Sequence, residues 1–338
     1  MQYVPANEFV DLNHSILDVR SPGEFTKGHI PGAINIPLFS DEERAEIGTL
    51  YRQTGQKEAI DRGYEIANPK KELFKRKVNQ LTKSNRHLSI YCWRGGMRSR
   101  SMAELFETAD LKCMVLEGGY KAYRKYGREL IDNITHLTVL AGPTGSGKTE
   151  LLHALADRGE QIVDLERLAQ HRGSAFGAIA LPTQPTTEQF HNRTFEAFRA
   201  LDLSKRIWIE SESKPIGRVY IDETLWAKMN VARVYAIAIP RELRIHRITA
   251  EYGAFPRSEL IDAVQRIAPR LGHERMQQAV TLISCGEIEA AVDLLLTYYD
   301  RGYLNSRDKH KKQKSVEVQL IGDDCLDWAQ QLVTAAYY

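Results

Sequence analysis

A glycine-rich loop at residues 142–149 constrains the fold of this chain more than any other feature. Its sequence, Gly-Pro-Thr-Gly-Ser-Gly-Lys-Thr, matches the complete phosphate-loop pattern G-x-x-x-x-G-K-S/T. An apolar run at 137–141 predicts a strand before the loop, and a helix is predicted from Lys148 to about Asp157. Because a strand, such a loop and a helix are the parts of a parallel α/β sheet, we predict a doubly wound domain at 135–338.

The loop predicts a site for a di- or triphosphate. Its glycines let backbone amides point at phosphate oxygens, and the N-terminus of the following helix adds a favourable dipole. Lys148 places a positive charge on the terminal phosphates, and Thr149 is the usual Mg²⁺ ligand of such loops. The predicted phosphate-binding residues of the loop are Gly142, Thr144, Gly145, Ser146, Gly147, Lys148 and Thr149.

Two polar segments at predicted strand ends add candidates to this site. Segment 164–177 is too polar and glycine-rich for a core helix, and it carries His171, Arg172 and Ser174, which we predict to face the phosphates. Segment 210–217 also has more polar groups than a turn needs. The carboxylates of these segments either hold Mg²⁺ indirectly or are ordinary surface carboxylates: Asp164, Glu166, Glu210 and Glu212.

A second loop, at 92–98, surrounds a lone cysteine with glycines and arginines. Cys92 follows a strand predicted at 87–91, and Gly95 and Gly96 permit a tight backbone whose amides favour the thiolate. Arg94 and Arg98 add fixed charge and can hold an oxyanion bidentately. We therefore predict that Cys92, Arg94 and Arg98 are catalytic, with Gly95 and Gly96 binding the phosphate of a donor.

The first 134 residues are predicted to form a separate α/β domain around this loop. A helical stretch from Asp41 to about Asn79 precedes the strand that carries Cys92, and a helix and another strand follow the loop. The other cysteines, Cys113, Cys285 and Cys325, lack C-x-x-C spacing. This spacing argues against a zinc knuckle and against a disulfide framework.

Roughly the first 130 residues resemble the rhodanese family of sulfur carriers. The matching segments are 17–20 (Leu-Asp-Val-Arg), Glu24-Phe25, 28–37 (Gly-His-Ile-Pro-Gly-Ala-Ile-Asn-Ile-Pro), the Cys92 loop and 116–120 (Leu-Glu-Gly-Gly-Tyr). The loop departs from the usual sulfurtransferase pattern, because Cys92 and Arg98 form C-x5-R instead of C-x4-R. The longer loop leaves room for a tetrahedral group such as a selenophosphate.

Almost the whole chain resembles the tRNA 2-selenouridine synthase family. The rhodanese-like segments, the 142–149 loop, the His-Arg-Gly-Ser of 171–174 and the Glu-Ser-Glu-Ser of 210–213 occur in the order of that family. The resemblance implies a rhodanese-like domain followed by a P-loop NTPase-like domain with a helical, basic C-terminal region. It also implies a transferase that replaces the sulfur of wobble 2-thiouridine in tRNA with selenium from selenophosphate, after geranylation by geranyl diphosphate.

Within this resemblance Cys92 receives or holds the selenium, and the P-loop binds the diphosphate of the prenyl donor. Mg²⁺ is a candidate ion at the loop, and no tightly bound organic cofactor is expected. Three other interpretations remain open: a P-loop ATPase or kinase coupled to a rhodanese sulfurtransferase, a rhodanese-fold phosphatase with a regulatory P-loop, and a non-catalytic tRNA-binding module.

The charge balance gives little information about partners, since 46 Lys and Arg against 44 Asp and Glu leave a net charge of +2. Binding of tRNA must therefore come from local clusters of basic residues. The candidates are Arg241, Arg244, Arg247, Lys309, Lys311 and Lys312, with a solvated basic surface as the alternative.

The chain has no apolar run of membrane-spanning length and no signal-peptide pattern, so we expect a cytoplasmic protein without membrane contact. A geranyl chain would require an apolar site. Phe176, Phe190, Phe195, Phe198 and Trp208 form either an apolar groove or plain core.

Overall fold

The computed structural model describes residues 1–82, 85–309, 315–322 and 324–337, with the backbone alone described at 304–309 and at 337. The chain divides into two compact units, Met1–Leu130 and Ile131–Tyr338. The boundary predicted after residue 134 lies slightly further along the chain and stays a prediction.

The first unit is an α/β domain with a parallel sheet. Its strands lie in the order β1-β5-β4-β2-β3. They are β1 (Gln2–Val4), β2 (Ser15–Asp18), β3 (Ile34–Asn35), β4 (His87–Tyr91) and β5 (Lys112–Leu116). The helices are α1 (Ala6–Phe9), α2 (Pro22–Lys27), α3 (Asp41–Gln53), α4 (Gln56–Ala67), α5 (Lys71–Leu81), α6 (Met97–Glu107) and α7 (Gly119–Asp132).

Two details of this unit differ from the sequence predictions. The predicted helix from Asp41 to about Asn79 is divided into α3, α4 and α5, because Gly55 adopts φ 114° and a 3₁₀ turn occupies Asn68–Lys70. Strand β1 was not predicted, although it pairs in parallel with β5 from Gln2 to Val4. Three residues are too few to display the period of two that identifies a strand.

The alternation of side chains along β4 explains the position of Cys92. Leu88 and Ile90 belong to one hydrophobic cluster and Tyr91 to another. This division follows from the period of two, which sends successive side chains to opposite faces of the sheet. Cys92 continues the first series and packs in the same cluster as Ile90. The strand therefore delivers the cysteine, buried, at its C-terminal end.

The second unit contains another parallel sheet, in the order β12-β11-β6-β8-β7. Its strands are β6 (Leu137–Ala141), β7 (Gln161–Val163), β8 (Ile207–Glu210), β11 (Arg233–Ala238) and β12 (Ser315–Gln319), with a small antiparallel hairpin of β9 (Pro215–Ile216) and β10 (Val219–Tyr220). The helices are α8 (Lys148–Asp157), α9 (Leu165–Ala169), α10 (Thr187–Arg199), α11 (Glu223–Met229), α12 (Arg241–Tyr252), α13 (Arg257–Arg266), α14 (Ala268–Leu271), α15 (His273–Cys285), α16 (Ile288–Lys309) and α17 (Cys325–Tyr337).

Two separate hydrophobic cores support the second unit. One joins the sheet to α8 and α17 through Leu140, Leu152, Tyr235 and Trp328. The other lies within the helical part after the sheet and is built from α13 to α16. The predicted α/β class with a helical C-terminal part is confirmed. Among the described residues, no helix is both long and apolar enough to cross a membrane.

Candidate active sites

The Cys92 loop is held tightly against the turn at residues 118–119. A Cβ atom on Gly95 would lie 2.5 Å from the Leu116 carbonyl oxygen, and one on Gly119 would lie 2.4 Å from the Cys92 carbonyl oxygen. Both glycines also have positive φ, 65° for Gly95 and 60° for Gly119. The Tyr120 amide donates to the Cys92 carbonyl oxygen at 2.9 Å. These contacts fix the position of the cysteine by backbone packing.

The sulfur of Cys92 has a hydroxyl neighbour that sequence reasoning missed. Cys92 Sγ lies 3.2 Å from Ser99 Oγ, and the Ser99 hydroxyl is within hydrogen-bonding distance of the Gly96 carbonyl oxygen at 3.0 Å. Helix α6 begins at Met97, directly after the loop, so its N-terminus lies beside the cysteine. The helix N-terminus favours an anion bound at this point. The one hydroxyl proton of Ser99 can be donated either to the Gly96 carbonyl oxygen or to the sulfur of Cys92.

Arginines line a cavity of about 460 Å³ above the cysteine. The predicted Arg94 and Arg98 are joined there by Arg44, which sequence reasoning missed because it lies 48 residues before Cys92. Arg98 Nη1 donates to Glu24 Oε2 at 2.7 Å. Burial alone would raise the pKa of Glu24, but the hydrogen bond and charge of Arg98 lower it. Glu24 therefore stays ionised and positions Arg98, while Arg94 is exposed at the cavity.

The phosphate loop has the backbone geometry that its sequence predicts. Gly145 and Gly147 adopt φ 78° and 75°, conformations that glycine accepts without strain. Helix α8 begins at Lys148, whose Nζ donates to the Gly142 carbonyl oxygen at 3.3 Å. Ser146 Oγ is buried and has no hydrogen-bond partner among the described residues. The loop thus presents amides and an ammonium group to an anion, whereas the predicted Ser146 is fully buried and does not line the cavity.

Helix α12 packs against the phosphate loop, a contact that sequence reasoning did not predict. A Cβ on Gly145 would lie 2.6 Å from Ile248 Cδ1, and one on Gly147 would lie 2.6 Å from Arg247 Nη2. Arg244 Nε donates to the Thr144 carbonyl oxygen at 2.8 Å. These contacts join residues about one hundred positions apart, so no local pattern in the sequence reveals them.

Three predicted carboxylates converge beside Thr149. The Thr149 hydroxyl lies 3.0 Å from Glu166 Oε2 and 3.4 Å from Glu210 Oε2, while Glu210 Oε1 accepts from the Glu166 amide at 2.8 Å. The side chains of Glu166 and Glu212 hydrogen-bond to each other. Asp164 has a different role: it caps α9 by accepting from the Arg167 amide and contacts His153 at 2.8 Å.

Burial raises the pKa of each carboxyl in this trio. Burial and the neighbouring charge of Glu166 raise the pKa of Glu212 to about 8. Burial, followed by repulsion from Glu166, raises the pKa of Glu210 well above its usual range. Burial also raises the pKa of Glu166, against the opposing charge of Lys148. Burial and mutual repulsion therefore favour the protonated form of these carboxyls beside the phosphate loop.

The 164–177 segment contributes part of a large cavity at the phosphate loop. Contrary to expectation, it includes a short helix, α9, and only its remainder is a loop. Arg172 and Ser174 line the cavity, which measures about 1400 Å³. His171 does not belong to the described lining; its ring lies against Gly177 and Gly217, and its pKa is lowered by burial and by Arg172.

Comparison with known proteins shows which family combines these two domains. A family model described as the tRNA 2-selenouridine synthase AAA domain matches residues 135–336, and a rhodanese-like domain model matches residues 6–126. A tRNA 2-selenouridine synthase from Shewanella piezotolerans is 35% identical over 333 residues, covering 88% of this chain and 90% of the relative. This chain belongs to the tRNA 2-selenouridine synthase family.

Two further relatives with that name differ in their coverage. The tRNA 2-selenouridine synthase of Marinobacter nauticus is 33% identical over 359 residues and is covered to 94%. That of Nitrosomonas europaea is 35% identical over 245 residues, and the match covers only 63% of its length. The predicted membership of the tRNA 2-selenouridine synthase family is confirmed, and so is the prediction of an enzyme.

Three of the six basic residues predicted to contact tRNA have partners within the chain. Arg241 and Arg244 pair with Asp300 at 3.1 and 2.5 Å, and Arg247 pairs with Glu150. Arg244 is also buried, so it supports the phosphate loop. Lys309 ends α16 with its side chain outside the description, and Lys311 and Lys312 lie outside the described residues. Their role in tRNA binding stays a prediction.

Other arginines at the mouth of the large cavity were not predicted. Arg270, Arg275 and Arg301 are exposed, line the cavity and form no ion pair within the described part of the chain. They come from α14, α15 and α16, and therefore from separate segments that no run of basic residues marks in the sequence. Unpaired exposed arginines are better suited to nucleic-acid phosphates than arginines already held by carboxylates.

Proposed function

We propose that this protein converts wobble 2-thiouridine in tRNA to 2-selenouridine in two stages. Geranyl diphosphate alkylates the sulfur at the phosphate loop, and selenophosphate delivers selenium at the Cys92 loop. The observation that supports this proposal most is the presence, in one chain, of a buried cysteine under arginines and a phosphate loop beside proton-holding carboxylates.

In the first stage the thiocarbonyl sulfur attacks the carbon of geranyl diphosphate that bears the diphosphate. A C–S bond forms, the C–O bond breaks, and diphosphate leaves with the electron pair. The loop amides and Lys148 bind the charge that develops on the leaving group, as donors do in an oxyanion hole. We propose that Arg270, Arg275 and Arg301 meanwhile bind the tRNA backbone at the cavity mouth.

The residues at the loop also fit Mg²⁺ as an accessory ion. Among the described residues, no group of three or more His, Cys, Asp or Glu side chains is arranged to hold a metal by itself. Thr149 and Glu166 nevertheless offer hard oxygen donors 3.0 Å apart, which is the kind that Mg²⁺ uses together with substrate phosphates. Bound there, the ion would supply positive charge to the leaving diphosphate.

In the second stage selenium replaces the geranylthio group at the uridine carbon. A C–Se bond forms, the C–S bond breaks and geranylthiol leaves, while the phosphoryl group of selenophosphate is released as phosphate. We propose that Arg94 and Arg98 bind the phosphate of selenophosphate. We propose that the Cys92 thiolate, with Ser99 beside its sulfur, attacks the phosphorus of selenophosphate. An S–P bond forms, the P–Se bond breaks and selenide leaves for the uridine carbon; water then cleaves the S–P bond.

The test of this function is nucleoside mass spectrometry after incubation of 2-thiouridine-containing tRNA with the enzyme, geranyl diphosphate and selenophosphate. We expect 2-selenouridine to form without ATP, and S-geranyl-2-thiouridine to accumulate when selenophosphate is withheld. The control is the same tRNA without the 2-thio group, which should stay unchanged. Product that forms only after ATP is added would contradict the proposal and support the ATPase or kinase alternative.

S-alkylation also requires a base, because the N3 proton of 2-thiouridine is lost when its sulfur is alkylated. We propose Glu212 for this role: it lines the cavity with Lys148 and Thr149, and its raised pKa of about 8 suits proton transfer near neutral pH. Gly173 leaves room for it, since a Cβ there would lie 2.5 Å from Glu212 Oε2.

The Glu212→Gln substitution is expected to slow geranyl transfer by about 100-fold or more, the usual effect of losing a general base. In the wild type assayed without Mg²⁺, only the ionised carboxylate accepts a proton, so the rate should rise with pH towards about 8 and then level off. The variant should lose this rise. Glu150→Gln, another carboxylate of the cavity lining, is the matched control and should keep it. A wild-type pH profile in Glu212→Gln would show that another group titrates.

A further inference from the structure

The cavity at the phosphate loop continues into an apolar arm. Beyond the loop, its walls come from α12, α13, α15 and α16, and they include Ile248, Leu260, Ile283, Val292 and Leu296. We call this part of the cavity the helical arm. Leu260, Ile283 and Leu295 of the lining belong to the hydrophobic core of the helical part, so the arm reaches the surface of that core.

One face of α12 connects the phosphate loop to the helical arm. Arg244, Ile248 and Tyr252 are spaced by four residues and therefore lie on one side of the helix. Arg244 donates a hydrogen bond to the Thr144 carbonyl oxygen, and Ile248 packs against Gly145. The centre of the Tyr252 ring lies 5.9 Å from that of the Phe176 ring. An apolar chain attached to a phosphate in the loop would pass along this face.

Helix α16 contributes another part of the wall, with a matching apolar stripe. Ile288, Val292, Leu295 and Tyr299 recur at intervals of four, three and four residues, which places them on one helix face. At 1.5 Å per residue the stripe is about 16 Å long. A fully extended geranyl chain measures roughly 10 Å with standard single-bond lengths, so the arm is long enough to contain it.

We propose that the helical arm binds the geranyl chain of geranyl diphosphate while the phosphate loop binds its diphosphate. This inference rests on the proposed function, and it assigns the prenyl site to residues outside the loop sequence. Phe176, Tyr252 and Tyr299 line the arm and are only partly buried. They therefore retain apolar surface that a prenyl chain can cover.

The same cavity has a second apolar region on the other side of the loop. It is lined by residues of β6, α11 and β11: Val139, Ala141, Trp226, Met229 and Val234. In this region only Trp226 is partly buried, whereas the helical arm adds to its own buried residues five partly buried apolar side chains: Phe176, Ile248, Tyr252, Ile288 and Tyr299. The observations therefore favour the helical arm, and the second region serves as a control in the test.

The test measures binding of inorganic diphosphate, dimethylallyl diphosphate, geranyl diphosphate and farnesyl diphosphate to the full chain by titration calorimetry. The wild type should bind geranyl diphosphate at least about tenfold more tightly than dimethylallyl diphosphate, because five additional carbons are buried. Val292→Trp fills the arm and should remove this preference while inorganic diphosphate binds as before. Tyr299→Ala lengthens the arm and should improve binding of farnesyl diphosphate.

The outcomes separate this inference from the proposed function. Trp226→Ala in the second region should leave the preference for geranyl diphosphate unchanged. If Trp226→Ala loses this preference and Val292→Trp keeps it, the inference is overturned and the proposed function still stands. If Val292→Trp also loses inorganic diphosphate through misfolding, the farnesyl response of Tyr299→Ala decides, and no gain refutes the helical arm. A wild type that binds geranyl diphosphate no better than inorganic diphosphate would refute the geranyl stage itself.

Discussion

Replacing Lys148 with alanine is expected to lower the rate of geranyl transfer by about 100- to 1000-fold, the usual cost of removing one group that stabilises a developing anion. Lys148 begins α8, and its Nζ reaches back to the Gly142 carbonyl oxygen at 3.3 Å, at the centre of the loop. Without its charge, the leaving diphosphate depends on backbone amides alone. The measurement is single-turnover formation of S-geranyl-2-thiouridine, followed by mass spectrometry.

A second lysine of the cavity provides the matched control for this prediction. Lys214 lines the same cavity but is paired with Glu223, so its charge is already used. Lys214→Ala should change the rate only a few-fold, and both variants should keep the unfolding temperature of the wild type. A wild-type rate in Lys148→Ala, with equal diphosphate affinity, would mean that geranyl transfer takes place outside the loop.

The part of the phosphate site that depends on local sequence could be predicted. Gly145 and Gly147 occupy left-handed conformations and Lys148 begins a helix, and both are consequences of residues within one short segment. The supporting contacts could not be predicted. Arg244 and Ile248 reach the loop from α12 only because that helix packs beside it, and tertiary packing has no local signature in the sequence.

The aromatic residues also show what the sequence alone could not decide. Phe190, Phe195, Phe198 and Trp208 are almost completely buried, so they are core residues and not the groove that the sequence left open. Phe176 alone of the five lines the cavity. Composition could not separate these positions, because a core and a prenyl site require the same kind of side chain and differ only in what covers them.

The rhodanese-like motif residues were recognisable, but their physical role emerges only in three dimensions. Asp18 and Arg20 form a fully buried ion pair of 2.6 Å, and Arg20 also donates to the Gly28 carbonyl oxygen. Its guanidinium lies 4.0 Å from the centre of the Tyr120 ring. Segments 17–20, 28–37 and 116–120 thus meet at one buried charge pair, which explains why they occur together beside the Cys92 loop.

Replacing Cys92 with serine is expected to abolish 2-selenouridine formation while S-geranyl-2-thiouridine still accumulates. The proposed geranyl stage uses only the phosphate loop and its carboxylates, whereas delivery of selenium requires the sulfur under Arg94 and Arg98. Serine has nearly the same shape, but its hydroxyl stays protonated and is a much poorer nucleophile than a thiolate. The measurement is the ratio of the two modified nucleosides after incubation with both donors.

The exposed thiol of Cys285 provides the control. It lies at the C-terminal end of α15, outside the arginine-lined cavity of Cys92. Cys285→Ser should give the wild-type ratio of products. If Cys92→Ser loses both products while inorganic diphosphate still binds, the cysteine is needed before alkylation, and the division of labour between the two loops is wrong. If it still forms 2-selenouridine at the wild-type rate, selenophosphate reacts directly with the geranylated uridine and the arginines alone supply the site.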